Sequence, residues 1–270
     1  MKFNFNIFNL GKKKAVDDDN FENEYLINDE TPFNIREAFN TLRSNVLFAL
    51  APTGGKKLLV TSANQSEGKS TTSVNLAAAL AQNGNKVLLI DCDLRKPKLH
   101  KFFDVDYTHG LSRFLVGQES LNDTLIHTDI RNLDLMPAGV IPPNPSELLG
   151  SNRMKVFLDK VEEYYNYIIL DTPPVGMVID AAVLSKYVSG VLVAVHYAST
   201  RRADFMKVKN QLDMAGANII GFTMVAVKSE HKGYYKKYSK YGSYYSYGYG
   251  YGQSRRHKAD SESKDGDQIK

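Results

Sequence analysis

The sequence has no tryptophan and one cysteine, Cys92, among its 270 residues. A single thiol cannot build a disulfide framework, and this usage points to a reducing, cytosolic compartment. No run of about 18 apolar residues is present, the length that a membrane-crossing helix needs. The opening MKFNFNIFNLGKKK places its lysines after a short apolar stretch broken by Asn, the reverse of a secretory signal. A role at a membrane therefore requires a partner. A basic body is also missing. The net charge is +4, but residues 228–270 hold ten Lys/Arg against five Asp/Glu, which leaves residues 1–227 at −1. That balance argues against a nucleic-acid-binding body.

The 43% apolar content suits a globular core. Residues 1–30, with VDDDNFENE, read as a flexible arm. A helix is expected from Thr31 as N-cap and Pro32 in the first turn, carrying Ile35, Phe39, Leu42 and Val46 at helical spacing. Strands are expected at 56–62, 86–90, 133–139, 167–171, 190–196 and 219–227, with helices between them. These strands are continuous apolar runs alternating with helical segments. The pattern predicts an α/β fold, a mostly parallel sheet with helices on both faces, over residues 31–227. Residues 228–270 contain one large aliphatic residue, Ile269, so they read as a disordered tail.

Three motifs carry chemistry. After the first core strand comes SANQSEGKSTT, covering Ala63, Asn64, Gln65, Ser66, Glu67, Gly68, Lys69, Ser70 and Thr71. A strand followed by Gly-Lys-Ser at a helix start is the setting of a P-loop. Backbone N–H groups face the phosphates, the lysine reaches the β- and γ-phosphates, and the hydroxyl serves Mg²⁺. Ala63 stands where the motif's first glycine would be. The second motif is VLLIDCDLRKP. Asp91 and Asp93, two residues apart, share one face of a strand at its carboxyl end, where open α/β sheets bind ligands. The third is YIILD, with Asp171 ending another apolar strand. Three carboxylates beside a triphosphate suit Mg²⁺, and one of them can accept a proton from a nucleophile.

The order of these motifs, with a D-x-D-x-R sequence at Asp91–Arg95 and nine tyrosines in residues 234–251, resembles the bacterial tyrosine kinases of capsule and exopolysaccharide operons. The resemblance covers roughly residues 30–251 and implies a P-loop NTPase fold with ATP and Mg²⁺. It implies autophosphorylation on Tyr234, Tyr235, Tyr238, Tyr241, Tyr244, Tyr245, Tyr247, Tyr249 and Tyr251. By resemblance Lys69 holds phosphates, Ser70, Asp93 and Asp171 organise Mg²⁺, and Asp91 activates the tyrosine hydroxyl. The family also implies a separate transmembrane adaptor that holds the kinase at the inner face of the membrane. A cognate tyrosine phosphatase and a homo-oligomeric ring of unphosphorylated chains are implied too. The family's E-x-x-R-x-x-R ring motif matches Glu37, Asn40 and Arg43, with Asn40 in the place of the middle arginine. The rival reading is a ParA/MinD-like nucleotide switch that passes the phosphoryl group to water. Such proteins carry a signature lysine where this chain has Asn64, and they have no need of the tyrosines.

A tyrosine-rich polar tail makes sense as substrate. Its hydroxyls stay accessible, and Gly and Ser let successive residues reach one site. A flexible chain of the length from Val227 to Tyr251 spans roughly 25–30 Å, and tethering raises local substrate concentration to about the millimolar range.

Overall fold

The computed structural model describes residues 3–8, 25–28 and 30–227, with residues 3–8 and 227 described by backbone alone. Eight strands form one sheet: β1 (Phe3–Phe8), β2 (Lys57–Ser62), β3 (Val87–Asp91), β4 (Ile126–His127), β5 (Leu133–Met136), β6 (Tyr167–Asp171), β7 (Gly190–His196) and β8 (Ile219–Val227). Their spatial order is β1-β8-β7-β2-β6-β3-β5-β4. All pairings are parallel except that of the short edge strand β4 with β5.

Parallel strands in the middle of such a sheet are covered on both faces, so alternate residues feed two separate cores. One core takes Leu59, Leu88, Ile90, Ile168, Leu170, Val191 and Val193. It packs them against α4 (Leu111–Val116), α6 (Pro145–Leu149), α7 (Asn152–Val161), α8 (Asp180–Ser185) and α9 (Arg202–Met214). The other takes Leu58, Val60, Val87, Leu89, Leu133, Leu135, Ile169 and Leu192. It packs them against α1 (Phe33–Leu50), α2 (Lys69–Gln82) and α3 (Leu99–Phe103). A four-residue helix, α5 (Leu121–Thr124), leads into β4. The buried side chains of α1, Ile35, Phe39, Leu42, Val46 and Leu50, recur at three- and four-residue steps and form its inner stripe.

Three expectations change. Part of the expected arm is structured: Phe3–Phe8 pairs in parallel with β8 and extends the sheet. Its Phe/Asn alternation in sequence has the period of a strand. Thr31 is not the cap of α1. Its hydroxyl turns back to Asn28, accepting from the Asn28 N–H at 2.9 Å, and Pro32 takes the N-cap position. The fifth strand ends at Met136 instead of reaching residue 139, because Pro137 has no N–H to continue the ladder. The expectation for residues 228–270 lies outside the described residues.

Residues 25–27 pack against the second core and are hydrogen-bonded to α2 through Asn75. Asn75, 1% exposed, donates to the carbonyls of Tyr25 and Thr71 and accepts from the Ile27 N–H at 2.8 Å. Asn75→Ala removes these side-chain hydrogen bonds and destabilises the domain by about 1–3 kcal/mol. The checks are a lowered Tm and faster amide exchange at Ile27.

Candidate active site

The crossing order of the strands creates the site. Strand β2 lies between β7 on one side and β6 on the other, with β3 beyond β6. Ligands in such sheets bind beyond the carboxyl ends of the strands, where the chain direction of the connections switches. Strand β2 ends at Ser62, and the loop from Ala63 to Gly68 leads directly into α2. Gly68 has φ 80°, in the left-handed region that glycine adopts without strain. A Cβ there would lie 2.8 Å from Val225 Cγ1, so the loop also needs glycine for clearance. On the loop's other side, a Cβ at Gly176 would sit 2.4 Å from the Ala63 carbonyl oxygen. Ala63 therefore closes the loop in tight contact with the segment after β6. The N–H groups of residues 65–70 find no protein acceptor among the described residues. This is the cradle that a phosphate chain requires.

Sheet register delivers the carboxylates. Asp91 and Asp171 are direct partners on adjacent strands β3 and β6. Both are fully buried, and Asp93 is 5% exposed. The Lys69 ammonium reaches Asp93 Oδ2 at 3.1 Å and Asp171 Oδ2 at 3.7 Å. The Ser70 hydroxyl donates to Asp171 Oδ2 at 2.7 Å, and the Ser73 hydroxyl donates to Asp171 Oδ1 at 3.0 Å. The predicted residues Lys69, Ser70, Asp93 and Asp171 thus meet in one cluster.

Asp91 stands differently. Its Oδ2 accepts the N–H groups of Lys98 and Leu99, and its Oδ1 accepts that of Asp93. It shapes the turn after β3 as well as contributing charge. Burial pushes its carboxyl up to about 8, and the charges of Asp171 and Asp93 add to the rise. Asp171 is also raised, chiefly by burial. Burial alone would lower Lys69, yet the field of Asp171, Asp93 and Asp91 outweighs it and leaves the ammonium raised.

Two features went unread in the sequence. Ser73 lies one helical turn from Lys69 and Ser70 on α2, a spacing that was available. Arg95, the last residue of D-x-D-x-R, makes a fork on Asp180, with Nε to Oδ2 at 2.8 Å and the second nitrogen to Oδ1 at 3.0 Å. The Ser146 hydroxyl donates to Asp180 at 2.7 Å, so one buried carboxylate at the start of α8 ties the loop after β3 to α6. Asp180 has no local motif to announce it. Of the predicted interface residues, Glu37 is exposed and accepts from Asn40 at 2.9 Å, while Arg43 turns inward to the Ala79 carbonyl. The nine tyrosines lie outside the described residues.

The donor set fits Mg²⁺. The described residues hold no cage of three or more carboxylate, His or Cys ligands. Mg²⁺ does not need one, since it takes one or two carboxylates, a hydroxyl and substrate phosphates. Ser70, Asp93 and Asp171 offer that set, beside the Lys69 ammonium.

A P-loop, a paired-carboxylate strand end and a doubly covered parallel sheet define a nucleotide-binding α/β enzyme. Residues 55–212 match the family model of the AAA domain. The tyrosine-protein kinase YwqD of Bacillus subtilis (strain 168) is 37% identical over 208 residues, 77% of this chain and 85% of that one. Among solved structures, the chimerical protein CapA2B2 superposes with a TM-score of 0.73 at 36% identity, over 76% of this chain and 91% of that one. The septum site-determining protein MinD of Pyrococcus horikoshii OT3, complexed with Mg-ADP, gives 0.53 at 25% identity, over 62% and 68%. The chain belongs to the bacterial tyrosine kinases. Among the described residues no helix is long and apolar enough to cross a membrane.

The raised Asp91 has a measurable consequence. The folded chain binds this proton more tightly than the unfolded chain, whose value is 3.8. The stabilisation is complete below 3.8 and is lost as pH rises through about 8. Nucleotide-free protein therefore loses thermal stability as pH rises through neutrality. Asp91→Asn flattens that dependence in a series of calorimetric scans.

Proposed function

We propose that this protein transfers the γ-phosphoryl group of ATP to the tyrosine cluster Tyr234–Tyr251, and through that modification regulates capsular or exopolysaccharide polymerisation and export. The observation that carries the reading is the convergence of Lys69, Ser70, Asp93 and Asp171 at the end of the P-loop strand. Lys69 and the N–H groups of the loop bind the β- and γ-phosphates. Ser70, Asp93 and Asp171 would hold Mg²⁺, which neutralises charge on the phosphates when bound. A bound Mg²⁺ would supply the carboxylates with positive charge in place of Lys69, whose ammonium would then be free to reach the phosphates. Asp91, in its deprotonated form, takes the phenolic proton as the tyrosine oxygen attacks the γ-phosphorus and ADP leaves; positive charge brought beside it by Mg²⁺ would favour that form. A phenol with pKa about 10 gains from such a base, although positioning and charge stabilisation dominate phosphoryl transfer.

The same reading gives the chain a separate transmembrane adaptor at the inner face of the cell membrane. It also gives a ring of unmodified chains with Glu37, Asn40 and Arg43 at the contact. Each phosphate adds about −1.5 to −2 charges at neutral pH, so a few of them reverse the tail's positive charge and drive the ring apart.

The likeness to MinD supports a second reading, in which water is the acceptor. Asn64 weighs against it. At the position of the signature lysine this chain has a neutral amide, which donates to Glu67 at 3.1 Å.

Intact-mass spectrometry after incubation with Mg-ATP and the adaptor's cytoplasmic segment separates the two. Successive additions of about 80 Da each, the mass of a phosphoryl group, are expected in wild type. They are expected to vanish in Lys69→Met and in a variant with all nine tyrosines of 234–251 changed to Phe. ATP turnover without mass change in wild type would establish the switch instead.

A further inference from the structure

Glu67 is an acidic residue inside a phosphate-binding loop. Uncompensated, its charge would repel the ligand. It is 1% exposed, and its carboxylate is fully occupied. Oε2 accepts the Ala63 N–H at 2.8 Å and the Asn64 N–H at 2.9 Å. Oε1 accepts the Asn64 side-chain amide at 3.1 Å and the Thr200 hydroxyl at 2.6 Å. The carboxylate is thus aimed at the first half of the loop, away from the N–H groups of residues 65–70.

Thr200 belongs to another part of the chain, the turn between β7 and α9. Its oxygen accepts the His196 N–H, at the last residue of β7, at 2.9 Å. The next N–H, of Tyr197, donates to the Val225 carbonyl, and Val225 is the side chain against Gly68. Two struts therefore run from the ends of β7 and β8 to the loop: Thr200 to Glu67, and Val225 to Gly68. Strands β7 and β8 lie on the side of β2 opposite to the carboxylates of β6 and β3. A nucleotide with its γ-phosphate at the carboxylates would therefore extend its nucleoside toward residues 196–201 and Val225.

We propose that Glu67 is a positioning residue that holds the loop in its phosphate-receiving shape. The Thr200–Glu67 hydrogen bond then couples that shape to the nucleoside side of the pocket. This rests on the nucleotide-binding reading of the site and assigns a role within it. A loop that is preorganised for phosphate binds more tightly than one that must first be ordered. Losing the latch lowers the fraction of competent molecules and weakens apparent affinity by that fraction, while saturating nucleotide restores the bound state.

The test compares full-length wild type, Thr200→Val and Thr200→Ser. Valine keeps the shape of threonine without the hydroxyl, and serine keeps the hydroxyl. Mg-ATP affinity is measured by titration calorimetry, and transfer to tyrosine by initial rates. Thr200→Val should weaken binding and raise the KM for ATP about tenfold, the scale of a lost hydrogen bond to a charged group. Its kcat should stay near wild type, and Thr200→Ser should recover the affinity. Unchanged affinity in Thr200→Val overturns the coupling, as does a fall in kcat at unchanged KM, which a merely structural role would give. If wild type binds ATP and labels no tyrosine, the proposed acceptor fails, and the binding comparison still decides the latch. Wild type that binds no Mg-ATP overturns both.

Discussion

Lys69 is drawn toward three carboxylates at once, and water reaches none of them freely. Buried carboxylates repel each other and lose hydration, so one ammonium cannot satisfy all three. Burial and mutual repulsion therefore raise Asp91 and Asp171. Much of the surrounding architecture serves to keep this cluster together. Strands β3 and β6 bring Asp91 and Asp171 into register, and α2 brings Lys69, Ser70 and Ser73 over them. The two cores lock strands and helix in place from both faces. The cluster is strained toward any ligand that brings positive charge to the carboxylates and negative charge to the lysine. A metal-bound triphosphate does both.

Around this cluster the site is asymmetric. On the β3 and β6 side it is charged, and its loops are tied by the Arg95 fork on Asp180. On the β7 and β8 side it is braced by a neutral hydroxyl and a valine. The carboxylate side suits the metal-bound, transferring end of a nucleotide.

The strands and the P-loop were legible because their determinants are local. Continuous apolar runs and Gly-Lys-Ser at a helix start need no tertiary information. Asp171 was legible too, as a strand-end carboxylate beside the P-loop, but the expected shared strand face of Asp91 and Asp93 was not: β3 ends at Asp91, and Asp93 enters the cluster from the turn that follows. What escaped notice depends on distant partners. Glu67 and Thr200 are 133 positions apart, and Arg95 and Asp180 are 85 apart. No spacing rule joins them. Strand β1 escaped because its pairing depends on β8 having an open edge, a property of the assembled sheet. Thr31 misled because Thr is a good cap in general. Asn28 competes for its hydroxyl locally, and that competition is settled only by the turn the chain takes.

Strand β8 passes Gly68 of the phosphate-binding loop at Val225 and ends two residues later at Val227. For transfer within one chain, encounter becomes ring closure, whose probability for a flexible chain falls with about the 3/2 power of loop length. Between the nearest and farthest tyrosines of the cluster that amounts to only about a sixfold difference. On the proposed transfer to the cluster, closure statistics alone rank the tyrosines weakly and favour a broad distribution of modified sites over a single preferred one.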